Sequence, residues 1–273
     1  MAEHEDVIYS KIWEEEPEPD NPFAARACYC AGYDVYGDLL GKASWFEYLY
    51  LLFKGERPAP WQAQLLEGLA VALANPGPRD HGVHAAMIGG IGGSHSAASL
   101  MAALGVGAGQ LGGARDVHNA MQLWQHSGTN IAAWKAVITA LPKPEHIDAW
   151  QLIEHPPGFD PYGASCTTPV RQALSYLVTL TSGEALPWLI SNRKALETAA
   201  DMPLAMSGLA AATFMDMDLN PEQGEMLFLL LRLPGAAIHA LEQRSYGWKK
   251  FPFWIDGLSL TDDPGLQSNT TAE

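Results

Sequence analysis

Asp80-His81-Gly82 and, some thirty residues later, Leu111-Gly112-Gly113-Ala114-Arg115-Asp116 bracket the stretch that decides the fold. Between them, from Ala85 to Ala114, there is no charged side chain, and Gly, Ala and Ser dominate. A run of that length is long enough to span a bilayer. It holds few large apolar residues, however, and it carries Ser94, His95, Ser96, Ser99 and Gln110. Such a composition transfers poorly into lipid. It fits helices packed tightly inside a water-soluble protein, where small side chains let backbones approach.

Helix signals extend outward from this run. Ser44-Trp45-Phe46-Glu47 is a capping box: a serine oxygen can take an orphan N–H, and a glutamate three residues on can reach back. The following Tyr48–Phe53 is apolar all round and predicts a buried helix, ended by Lys54-Gly55 before Pro58. Trp61, Leu65, Leu66, Leu69 and Leu73 share one helical face, and Asn75-Pro76-Gly77-Pro78 stops that helix. Further helices are predicted near 80–106, 113–126, 129–141, 168–182 and 186–200. Asn220-Pro221-Glu222-Gln223 starts a long one reaching about Tyr246. No stretch alternates with period two through β-branched residues, so the fold class expected is all-α. Residues 1–24, with Glu14-Glu15-Glu16-Pro17-Glu18-Pro19, read as an acidic extended arm, and 261–273 as a flexible tail.

The chain has 273 residues, 16 Lys and Arg against 31 Asp and Glu, and a formal net charge of −15. That balance excludes nucleic acid, whose phosphates need clustered cations, and anionic membrane surfaces. Three cysteines, Cys28, Cys30 and Cys166, form no disulfide framework and fit a reducing cytoplasm. The N-terminus lacks the basic and apolar regions of a secretory signal. His81, His84, His95 and His118 lack the Cys or carboxylate spacing of a metal site, so no metal is expected. Gly89-Gly90-Ile91-Gly92-Gly93 lacks the Lys-Ser/Thr of a phosphate loop.

Taken in order, several motifs resemble the citrate synthase family. They are Cys30-Ala31-Gly32-Tyr33-Asp34-Val35 with Asp38-Leu39, the helix ending in Leu51-Leu52, Gly55-Glu56-Arg57-Pro58, Asp80-His81-Gly82, Gly112-Gly113-Ala114, Arg232-Leu233-Pro234-Gly235 with His239 and Glu242-Gln243, and Tyr246-Gly247-Trp248-Lys249-Lys250. The short length and the Asp-His-Gly form are most similar to the citryl-CoA lyase branch, including the lyase module of ATP-citrate lyase. The resemblance implies a large helical domain over 25–114 and 206–260, interrupted by a smaller helical domain at 115–205. It also implies a homodimer, coenzyme A as part of an acyl-CoA substrate, and a di- or tricarboxylate partner.

Family chemistry makes or breaks a bond between an acyl-CoA methyl and a ketone. It needs a carboxylate base, donors for the enolate oxygen, and cations for the carboxylates. By resemblance, His81 is the one candidate catalytic histidine and also meets substrate, with Arg232, His239 and Lys250 as further substrate-binding groups. Arg171, Gly112, Gly113 and Lys249 fall to coenzyme A. Arg244, Lys249 and Lys250 gather cations in an acidic chain. Three departures stand against this. Leu111 replaces a histidine before the Gly-Gly turn. Pro157-Gly158-Phe159-Asp160-Pro161 lacks the histidine of its family motif, and Pro156-Pro157 pins the backbone against rescue by His155. Ala205-Met206-Ser207-Gly208 carries serine where the aspartate base is expected, and a serine hydroxyl is far too weak a base.

Three readings follow. In the first, the chain is an acyl-CoA carbon–carbon lyase or synthase on a rebuilt site, with ordinary citrate synthesis weak or absent. In the second it is a degenerate homolog that binds coenzyme A or a carboxylate, or pairs with an active paralog. In the third the scaffold runs another acyl-CoA reaction, such as hydrolysis.

Overall fold

The computed structural model describes residues 9–141 and 155–250. The expected tail at 261–273, and the end of the expected large domain beyond 250, lie outside those residues. Helix dominates, as the absence of period-two patterning predicts. The helices are α1 (Trp45–Lys54), α2 (Pro60–Leu73), α3 (His81–Ile91), α4 (Ser96–Gly107), α5 (Ala114–Ser127), α6 (Ile131–Ala140), α7 (Thr168–Leu177), α8 (Ala185–Ala200), α9 (Met206–Asp216) and α10 (Pro221–Tyr246).

Local chemistry sets several boundaries. Ser44 and Glu47 close their capping box at the start of α1, and Gly55 ends it in the left-handed conformation. Asn220 and Gln223 do the same for α10. The helix expected over 80–106 is two helices. The chain breaks at Gly92-Gly93, where Gly93 takes φ +72, so α3 and α4 fold against each other as a hairpin. The glycines of the run serve close packing. A β-carbon on Gly90 would overlap the carbonyl of Ala240 on α10. Val83, Ala86, Met87, Ala103, Ala236 and Ala240 form a small-residue core there.

The acidic arm is more ordered than its composition implies. β1 (Glu14–Glu18) pairs antiparallel with β2 (Asn21–Cys30), and β2 with β3 (Tyr33–Asp34), giving a three-stranded sheet in the order β1-β2-β3. Most of its side chains face solvent on both sides, so no alternation marks the strands in the sequence.

The main core joins α2, α5, α7, α8, α9 and α10 around Phe214, Phe228, Leu66, Met121 and Leu186. Trp124 packs edge to face against Trp134 and Trp188, which are tilted to each other, where α5, α6 and α8 meet, with centroids 4.8 to 5.6 Å apart. α10 is long and apolar enough to cross a membrane by length and composition. Here it runs beside α2, α3, α4, α5 and α9 as the spine of the fold.

Candidate functional site

The residues singled out by the sequence fall into four places. The first is the junction of α3, α10 and the turn before α5. Asp80 caps α3 by accepting from Val83 N–H at 3.0 Å. It also forms an ion pair with Arg232, with the two side chains only 17% and 13% exposed. Arg232 reaches the Gly112 carbonyl at 3.4 Å and lies over the Phe228 ring at 4.7 Å. Burial pulls its guanidinium below the ordinary value, and the Asp80 carboxylate opposes that. Gly112 has φ +66, and a β-carbon on Gly113 would overlap the Gly107 and Gly109 carbonyls. The turn therefore requires both glycines, and its backbone stands beside the pair. The cavity at this junction is only about 20 Å³, room for roughly one water. His81 stands exposed at the first position of α3. His239, two turns beyond Arg232, meets Asn75 at 3.0 Å and Glu242 at 3.4 Å. In this form of the chain, Arg232 and His239 thus face protein partners.

The second place is a buried centre at α5 and α9. Asp116, 2% exposed, sits in the first turn of α5. Ser207, 1% exposed and in the first turn of α9, donates its hydroxyl to Asp116 Oδ2 at 2.5 Å. Gly158 N–H donates to Oδ1 at 3.0 Å, and His155 Nε2 lies 3.5 Å from the same oxygen. Despite Pro156-Pro157, the His155 side chain reaches this centre and is 5% exposed. Backbone pairing locks the loop to the segment before α9: Ala205 N–H to Gly158 O, Asp160 N–H to Pro203 O, and a bridge between Phe159 and Leu204. A β-carbon on Gly208 would overlap the Gly158 carbonyl. The serine in the position expected of a base is a donor to another helix's carboxylate. Sequence reasoning missed Asp116. The available signal was an acid on the apolar stripe of α5 with Val117, Ala120, Met121 and Trp124.

Asp216 is also placed away from chemistry. It accepts from Thr181 Oγ1, Ala185 N–H and Leu186 N–H at 2.8, 2.6 and 3.2 Å, so it caps α8 from the end of α9. Burial is the main cause holding its pKa above the ordinary 3.8.

The third place is a polar recess of about 540 Å³ between the start of α7, α8 and residues 201–203. Arg171 lines it, bonded to Thr168 Oγ1 at 2.8 Å, together with Arg193 and Lys194 of α8. Arg193 makes a two-oxygen pair with Glu197. No motif in the sequence links Arg193 and Lys194 to Arg171. The fourth place is the turn after α10, where Lys249 and Lys250 lie over the rings of Trp248 and Tyr246. Arg244 donates to the Ser94 carbonyl. The end of α10 is about 21 Å along the axis from Arg232, so the basic cluster and the Asp80–Arg232 pair are separate in one chain.

Against known proteins, no protein-family model matches this chain, and no curated protein matches it in sequence. Solved structures do match. Citryl-CoA lyase from Hydrogenobacter thermophilus superposes with a TM-score of 0.71 at 19% identity, over 94% of this chain and 96% of that one. ATP citrate lyase from Methanothrix soehngenii, in complex with citrate and coenzyme A, gives 0.72 at 16% identity, over 94% of this chain and 42% of that one. Citrate synthase from Thermotoga maritima MSB8 gives 0.54 at 15% identity, over 80% and 58%. The chain has the helical fold that these citrate synthases and citryl-CoA lyases share.

Proposed function

We propose that this chain binds an acyl-CoA, a di- or tricarboxylate, or both on a citrate-synthase-like scaffold, and that ordinary citrate synthesis by it is weak or absent. The observation that carries this reading is the Ser207–Asp116 hydrogen bond, closed into a fully buried centre. Removing a general base costs roughly 10²–10⁴-fold in rate. Asp116 does not offer a simple substitute, because at 2% exposure it is closed off from a substrate carbon.

The recess at Arg171 is the better candidate for coenzyme A. Arg171, Arg193 and Lys194 face Glu197 and Asp201 there, three cations against two carboxylates, which leaves a local positive excess in an acidic chain, as phosphates favour. The bound coenzyme A of the Methanothrix soehngenii enzyme supports this ligand class by likeness of fold. A thermal-shift screen with coenzyme A, acetyl-CoA, citrate, malate and oxaloacetate tests the reading. Stabilisation should rise as RT ln(1 + [L]/Kd), and Arg171→Ala should remove the shift with coenzyme A. No shift with any of the five would overturn it.

The same reading includes a homodimer. Met226, Leu230, Ile238 and Leu241 are exposed along one face of α10, beside an apolar groove of about 470 Å³ that includes Trp45 and Val71. Large uncharged patches of this kind mark interfaces. Two copies of a chain carrying −15 can meet there without opposing like charges. Ile238→Glu should convert a dimer to a monomer in sedimentation velocity; a wild-type monomer would remove this part of the proposal.

A further inference from the structure

We infer that the cavity between α4 and the end of α10 is a binding site for a short-chain monocarboxylate, separate from the Asp80–Arg232 junction, the Asp116 centre and the Arg171 recess. It measures about 60 Å³, which by the space one water needs is room for about four to six heavy atoms. Its polar groups are Ser96, Ser99 and Arg244, and its apolar wall includes Leu100, Ala240 and Leu241.

Two independent observations point to a ligand. Ser99 is 3% exposed, and its hydroxyl has no hydrogen-bond partner. It lines the cavity together with Gly90, whose missing side chain lets the Ala240 backbone of α10 come close. A buried hydroxyl without a partner is destabilising, and a ligand oxygen would relieve that. The second observation is the first turn of α4. His95 occupies the cap position of this 12-residue helix, and its side chain takes no N–H bond there. The helix thus presents positive backbone ends toward Ser96. Arg244 adds a guanidinium at the same wall, and among the described residues it pairs with no carboxylate. Its recorded bond, to the Ser94 carbonyl, leaves donors over.

Charge and shape select the ligand class. Two hydroxyls, amide N–H groups and an arginine favour an anion whose oxygens take several donors. The apolar wall favours two or three carbons behind that head. Arg244 stands twelve residues past Arg232, about 18 Å along α10, so the site does not share a cation with the Asp80 pair.

Calorimetric titration of the full chain with propionate, and with propionamide as its uncharged isostere, tests the inference. One chain concentration is used throughout, because Leu241 also lies on the face assigned above to a second copy. Propionate should bind saturably, one per chain, and propionamide at least tenfold more weakly. Arg244→Gln should weaken propionate at least tenfold, and Ser99→Ala severalfold, with unchanged emission from the Trp124, Trp134 and Trp188 cluster reporting an intact fold. Absence of saturable heat from propionate, equal binding of propionamide, or wild-type affinity in Arg244→Gln would each overturn it. Loss of coenzyme A binding with propionate binding retained would count against the function proposed above and leave this site standing.

Discussion

The Asp80–Arg232 pair and the Asp116–Ser207 centre are both places where a citrate-synthase-like scaffold would be expected to do chemistry, and they differ in how the charge is held. Asp80 is matched by a cation and borders a small cavity. Asp116 is matched by neutral donors, a serine hydroxyl and a backbone N–H, with His155 3.5 Å away, in the buried interior. A matched ion pair can exchange its partner for a ligand carboxylate. A carboxylate satisfied by the packing of three segments can change only if those segments move apart. The first region is an ion pair at the edge of a small cavity, while the second is part of the core.

The largest effect expected is at the second region. Ser207→Asp puts two carboxylates in contact, and by analogy with an uncompensated buried charge it should cost about 3–5 kcal/mol at neutral pH. Acidification should restore part of that, since two carboxylates in one site share a proton. Denaturant midpoints at two pH values check it; unchanged stability would mean that the centre opens easily. Arg232→Ala should cost about 3 kcal/mol by stranding Asp80, and Arg232→Ala with Asp80→Ala should cost less than Arg232→Ala alone. An additive pair of effects would remove the ion pair from the comparison.

Asp216 sharpens the contrast as a buried acid with a purely structural task. Asp216→Ala should cost about 2 kcal/mol through the lost cap of α8. Its folded pKa is raised above 3.8, so the fold holds this proton more tightly than the unfolded chain does. The resulting stability is fully present below the ordinary value and is lost as pH rises through the raised one. Stability curves of wild type and Asp216→Ala should therefore diverge on the acid side. Lys249→Ala with Lys250→Ala should change stability by less than about 0.5 kcal/mol, because both cations lie exposed over neighbouring rings.

What the sequence revealed followed the range of the interaction. The caps at Ser44 and Asn220 are made within three residues and were readable. The Asp80 and Arg232 positions came from motif order alone, without any sign that the two side chains would pair. The break at Gly92-Gly93 was hidden because close packing and chain reversal both call for glycine. α9 was missed because it is buried on every side and lacks a polar face. The hairpin of β1 and β2 was missed for the opposite reason, both faces being largely exposed. The Asp116–Ser207 bond joins residues 91 apart, and neither residue type announces a partner at that distance.

Binding without the usual turnover is the central proposal. Calorimetric titration of the purified chain with acetyl-CoA, followed by oxaloacetate in the same cell, tests both halves at once. The prediction is a saturable binding heat for acetyl-CoA, then no sustained heat of reaction once oxaloacetate is added. A steady turnover heat, or no binding heat at all, would contradict it.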